Sequence, residues 1–147
     1  MKEIEIEKRK KNYTIGNIGN FDELGQYSYL HPTAKMTIPG KVFLGESLNM
    51  SSMEISFQVL AAGKEIPFNH MHKTHEEVYI VIKGEGEFVI DNEVTEVKEG
   101  SVVRIAPEGN RRWRNNSNSD LIMMVIQGVN GTMKNFTVYD GYVKSNK

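Results

Sequence analysis

Two histidines one residue apart, His70 and His72, followed by Glu77, are the residues of this 147-residue chain whose types and spacing suit chemistry. Side chains alternate faces along extended backbone, so the two imidazoles point the same way and can share one ligand. Glu77 stands five residues beyond His72, an odd separation that would put it on the opposite face of an uninterrupted strand. The chain must therefore turn between them. Lys73-Thr74-His75 is polar enough to make that turn, and Val78-Tyr79-Ile80-Val81-Ile82 is an apolar, β-branched run that forms the next strand. Two neutral nitrogens and one carboxylate oxygen then converge on a divalent metal ion (Fe, Mn, Ni or Zn), with positions open to water or a small-molecule ligand. The competing reading is a polar loop, since three of the chain's four histidines fall between His70 and His75. Gly63 and Pro67 before the pair, and Gly84 after Glu77, frame the cluster and favour the metal.

Composition removes several alternatives. The formal net charge is −1, so no broad basic field marks a binder of nucleic acid or of an anionic membrane. The run Lys8-Arg9-Lys10-Lys11 is read as part of a solvated tail. Cysteine is absent, which excludes disulfides and leaves nitrogen and oxygen as the metal donors. Met1 to Lys11 has no apolar core of the kind a signal peptide needs, and no stretch approaches the roughly 20 apolar residues of a membrane span. The expectation is a cytoplasmic protein of one domain, long enough to bury a core.

The elements that must hold the cluster are short strands. Met53–Leu60, Val78–Ile82, Glu87–Ile90, Val94–Val97, Val102–Ile105 and Leu121–Ile126 are each apolar or β-branched, and each ends at a glycine, Asp-Asn or proline turn signal. Six strands at this spacing predict an all-β sandwich or barrel. Only Phe21-Asp22-Glu23-Leu24 suggests a turn of helix. The chain divides into a charged tail (1–12), an extension packing on the barrel (13–48), and the barrel with its C-terminal segment (49–147). Two strands are apolar on both faces: Val78, Ile80 and Ile82 lie opposite Tyr79 and Val81, and Leu121–Ile126 is unbroken. Their second face needs a cover, from the second sheet, from the Tyr13–Leu48 region, or from a second copy of the chain; a homodimer is the expectation.

With these elements in place the sequence resembles the cupin superfamily, whose first motif runs Gly, five residues, His-x-His, three or four residues, Glu, six residues, Gly. Here Gly63, His70-Met71-His72, Glu77 and Gly84 stand in that order, with one added residue after Gly63. The second motif is similar to Gly100, Pro107-Glu108-Gly109 and Asn116. The resemblance implies a single-domain double-stranded β-helix, a jelly-roll barrel, with a metal held inside by His70, His72 and Glu77. It also implies a fourth ligand, a histidine, where this chain has arginine. Counting forward from Gly109 the position is Arg112; counting back from Trp113-Arg114-Asn115, similar to the ending seen in many cupins, it is Arg111.

Burial separates the two registers. If Arg112 points inward so does Arg114, whereas Arg111 would share the interior with Trp113 alone. One buried cation costs less than two, which favours Arg111. Arginine has only donors and stays protonated, so it ligates no metal. It either pairs with a substrate carboxylate or phosphate, or pairs with Glu77 and displaces the metal. Tyr79, two residues past Glu77, should line the same cavity and donate a hydrogen bond. Glu76 and His75 are read as solvated, His75 alternatively as a fourth nitrogen or proton relay. Two functions stay open: a metal-dependent enzyme of the cupin type, a dioxygenase or isomerase acting on a small, anionic, oxygenated molecule such as a sugar or keto acid, and a non-catalytic module that binds such a molecule with or without metal.

Overall fold

The structure, a computed structural model, describes residues 1–144. It is an all-β barrel made of two facing sheets. The larger has five strands in the order β10 (Val102–Ile105), β7 (His75–Lys83), β12 (Leu121–Val129), β6 (Met53–Leu60) and β5 (Lys41–Phe43); the smaller has three, in the order β11 (Arg111–Arg114), β8 (Glu85–Ile90), β9 (Glu93–Lys98). All the pairings are antiparallel. Tyr79, Val81, Leu121, Met123 and Val125 from the large sheet meet Phe88, Val97 and Trp113 from the small one, forming the main core. Among the described residues no helix is long and apolar enough to cross a membrane.

Turn chemistry fixes the register at two places that matter. Asp91 and Asn92 both take positive φ, the two-residue turn whose twist suits a hairpin, and they join β8 to β9. Gly84 has φ +86°, and a Cβ there would run into the Asp120 carbonyl, so only glycine lets β7 end beside the start of β12. Its role is steric, and it closes the spacing that begins at Glu77.

Three features depart from the sequence expectation. The six expected strands are present, several of them longer, but β11 was not among them: three arginines in four residues give no apolar signal, and the strand exists because Trp113 and Arg111 pack inward while pairing with Phe88 and Ile90 of β8. The charged segment 1–12 is no free tail. Its Glu-Ile alternation forms β1 (Glu5–Arg9), paired with β2 (Thr14–Asn17), and Ile4 packs into a second apolar cluster. Finally, the barrel starts before residue 49, because β5 adds to the edge of β6 in the register Lys41 opposite Gln58 and Phe43 opposite Ser56.

That second cluster answers part of the covering problem. Leu24, Tyr27 and Val42 bury Ile122, with Phe57, Val59 and Ile82 packed around them, so the N-terminal region covers one end of the outer face. Leu24 sits in a 3-10 turn, Phe21–Gln26, at the place where a turn of helix was expected. β3 (Ser28–Leu30) and β4 (Thr37–Pro39) form a small hairpin that leads into β5. Farther along the outer face Val78, Ile80, Met124 and Ile126 are only half-buried.

Candidate metal centre

Residues 64–70 run alongside β11. Asn115 N–H donates to the Lys64 carbonyl, Ile66 N–H to that of Trp113, and His70 and Arg111 exchange both backbone hydrogen bonds at 3.0 Å. His72 N–H then donates to the Pro107 carbonyl at 2.9 Å. The chain bends at Lys73 and Thr74, and β7 begins at His75, which returns Glu77 to face the two histidines. The odd spacing between His72 and Glu77 is thus absorbed by the bend.

One potential ligand atom from each of His70, His72 and Glu77 lies within 4.8 Å of the others. His72 Nε2 is 3.1 Å from Glu77 Oε1, yet its geometry makes no hydrogen bond, and His70 Nδ1 is also buried with no partner. Buried polar atoms are almost always satisfied, so an orphaned ring nitrogen on each of two histidines that converge with a carboxylate needs a reason. Ligand atoms that lie close together without bonding to one another are what a shared cation requires. The donor set is two imidazoles and a carboxylate, with no thiolate, and it fits a borderline divalent ion.

The other Glu77 oxygen, Oε2, is occupied. It accepts from Arg111 at 2.5 Å and from the Tyr79 hydroxyl. Arg111 is fully buried, and its remaining reach goes to the Gly109 carbonyl at 2.9 Å and the Pro107 carbonyl at 3.4 Å. Arg112 lies on the opposite face of β11 and is half-buried. Neither arginine lines the cavity in front of the triad, although contact with substrate was expected of one of them. Tyr79 does line it. Glu76 pairs with Arg104 at 2.6 Å near the surface, and His75 lies 3.4 Å from Gln127, outside the convergent set. Asn115, not Asn116, is the buried asparagine of the second motif: it donates to the Leu60 and Ser119 carbonyls and accepts from Ser117.

Protonation follows from these contacts. Burial would raise the Glu77 carboxyl pKa, but the close approach of His72 and the hydrogen bonds from Arg111 and Tyr79 outweigh it and bring the group down to about 2. Burial, aided by the Arg111 charge, lowers His70 to about 4, leaving its nitrogen neutral and free to donate at pH 7. Both shifts act in the same direction on stability. An unfolded chain protonates histidine below about 6.5 and glutamate below about 4.3, while the folded protein resists until about 4 and about 2. Stability of the metal-free protein should therefore fall as pH drops from about 6.5 to 4 through His70, and further from about 4.3 to 2 through Glu77. Melting curves between pH 7 and pH 3 should show a loss of several degrees. A flat profile from pH 7 to pH 4 would show that His70 is not held neutral.

The cavity has a volume of about 230 Å³ and holds residues that sequence reasoning missed. Ser56 and Gln58 are buried and face it from β6, and Lys41 and Phe43 face it from β5. Tyr29 and His31, from the N-terminal region, complete the mouth. Burial brings the Lys41 amine from its ordinary 10.5 down to about 8 against the pull of Glu77 and Glu54. The only available signal was the alternation in Met53–Leu60, where Ile55, Phe57 and Val59 are apolar and Glu54, Ser56 and Gln58 polar. That pattern reads as polar-out. Here the polar face lines the cavity, and the N-terminal region covers the apolar face.

The cupin domain family's sequence pattern matches residues 56–127. A cupin protein from Bacteroides fragilis is 37% identical in sequence, over 71% of this chain and 89% of that one, and superposes with a TM-score of 0.69. An uncharacterised protein from Methanocaldococcus jannaschii is 38% identical over 52 residues, which are 35% of this chain and 42% of that protein's length. This chain thus matches less than half of that curated relative. A predicted oxalate decarboxylase from Thermotoga maritima shares the fold at 21% identity, over 65% of this chain and 83% of that one, with a TM-score of 0.56.

Proposed function

Because the chain belongs to the cupin family, with its histidine pair and glutamate on the cavity wall, we propose that it is a metal-dependent cupin that binds and acts on a small, anionic, oxygenated molecule such as a sugar or keto acid. The observation that carries this reading is the convergence of one potential ligand atom each from His70, His72 and Glu77, with a buried, unpartnered ring nitrogen on both histidines. These three residues would hold the ion, which when bound polarises a carbonyl or hydroxyl oxygen of the ligand. The rest falls to the chain's own groups. Arg111 and Tyr79 keep Glu77 ionised and fix which of its oxygens is free. His70 presents an unprotonated nitrogen, packed edge-on against Trp113 and Phe68. Ser56, Gln58 and Gln127 offer polar contacts along the cavity wall. The small cavity favours a metabolite below drug size. The reading extends to a cytoplasmic homodimer, with the half-buried strip of Val78, Ile80, Met124 and Ile126 as its contact.

A second reading is supported by the Arg111–Glu77 ion pair, which already neutralises the carboxylate. On that reading the protein is a binding module that turns nothing over. Protein reconstituted separately with Fe(II), Mn(II), Ni(II) and Zn(II), then offered a panel of sugars, keto acids and diketones, should retain about one ion per chain and either consume oxygen or convert one panel member. Tight binding of a panel member with no conversion under any ion would favour the module.

A further inference from the structure

We propose that Lys41 recognises the anionic end of the ligand, which makes the ligand a small carboxylate with a second oxygen donor beside it, a 2-oxo acid or a dicarboxylate. The proposal rests on the metal-centre reading and adds the substrate class and the residue that selects it.

The argument begins with the charges around the cavity. Arg111 is enclosed behind Glu77 and bonded to it and to two backbone carbonyls; its Nε–H is buried without a partner, and the residue does not line the cavity. Among the residues lining the cavity Lys41 alone is a lysine or arginine. Among the described residues no carboxylate lies within ion-pairing distance of its ammonium, which rests 5.0 Å from the Phe43 ring centroid. A partly buried cation without a counter-ion is costly, and an anionic ligand would offset that cost. At neutral pH the amine remains mostly charged, with its pKa at about 8.

Position supports the same conclusion. Lys41 is on β5 and Glu77 on β7, separated in the sheet by β6 and β12. Three strand spacings put the two backbones roughly 14 Å apart on a flat sheet and closer on a curved one. Both side chains line the cavity, where Gln58 stands opposite Lys41 and Ser56 opposite Phe43 in the sheet register. The space between suits a molecule whose carboxylate meets the amine while the neighbouring oxygen donor faces the triad. The buried indole N–H of Trp113, also without a partner, is a further donor on the cavity wall. A neutral sugar would leave the ammonium unpaired.

Wild type, Lys41→Met and Lys41→Arg, each loaded with Mn(II), should be titrated with pyruvate, with oxalate and with the neutral analogue pyruvamide. Trp113, the chain's only tryptophan, reports binding by fluorescence, and calorimetry supplies a second readout. Wild type should prefer at least one carboxylate over pyruvamide by roughly ten- to a hundred-fold, the worth of one charge-assisted hydrogen bond. Lys41→Met should lose that preference, and Lys41→Arg should keep most of it. The proposal is overturned if Lys41→Met retains the preference, if wild type favours the amide, or if wild type binds none of the three. Manganese content measured in the same samples separates the two ideas. Lys41-dependent carboxylate binding in protein that holds no manganese sinks the metal reading and leaves this one standing; bound manganese with Lys41-independent binding does the reverse.

Discussion

Replacing Arg111 by methionine should destabilise the metal-free protein by about 3–5 kcal/mol at pH 7 to 8, the usual cost of removing one partner of a buried ion pair. The guanidinium is fully buried, and its loss strips the Glu77 carboxylate of its closest counter-ion. Two carbonyls, those of Gly109 and Pro107, lose a donor as well. The penalty has a ceiling, because Glu77 can take up a proton once burial is no longer opposed by the arginine. The deficit in the variant should therefore shrink as pH falls from 8 to 5, whereas wild type only loses stability over that range. Added Mn(II) should raise the variant's melting temperature more than it raises that of wild type. A unit cation a few ångströms from a divalent ion opposes binding by several kcal/mol even at an effective dielectric constant of about 20, and the variant lacks it. The backbone bond from His72 to Pro107 survives the change, so the weak 3.4 Å contact to Pro107 is the smaller effect. Thermal melts across pH, with and without metal, test both claims. A variant as stable as wild type at pH 8 would mean that the ion pair contributes nothing.

His70→Ala with His72→Ala should abolish metal retention. Loss of an outer-shell partner alone typically costs ten- to a hundred-fold in metal affinity, so removal of two of three ligands should exceed about a hundred-fold. Metal analysis after desalting should fall from about one ion per chain to background, and with Co(II) the visible absorption of a nitrogen-ligated ion should disappear. The fold should survive this change, because both residues are only half-buried and the core beneath them is formed by Tyr79, Phe88 and Trp113. The more conservative pair, His70→Gln with His72→Gln, keeps the bulk against Phe68 and Trp113 and should lose metal equally. Stoichiometric metal in either double variant would place the ion elsewhere or show that it is adventitious.

These two results bear on opposite halves of one carboxylate. Oε1 of Glu77 faces the histidines, and Oε2 is taken by Arg111 and Tyr79. An arginine therefore stands where the motif led to the expectation of a fourth ligand, and it works as a counter-ion to Glu77 beneath the three-residue set. It lowers the proton affinity of the carboxylate, which keeps Glu77 available for metal at acidic pH. The same charge weakens the attraction for the ion.

Local signals in the sequence determined much of this. Strand positions from Met53 to Ile126 follow from β-branched runs cut by glycine and Asp-Asn turns, because side-chain alternation and turn sterics are properties of a few neighbouring residues. The convergence of His70, His72 and Glu77 was legible for the same reason, through a parity argument that required a bend at Lys73-Thr74. The inward register of Arg111 followed from counting the cost of buried charges. What Arg111 does there depended on tertiary structure, since a guanidinium can face a ligand or a carboxylate and only three-dimensional packing supplies the partner. The strand Arg111–Arg114 escaped notice because its pairing with β8 is non-local. So did the cavity's far wall: Lys41, Tyr29 and His31 lie 36 to 48 residues before Glu77, and β5 reaches the site by joining the edge of a distant sheet. The polar face of β6 turned inward for a similar reason. Alternation in a strand says that two faces differ, and only the N-terminal cover over Phe57, Val59 and Ile122 decides which of them sees water.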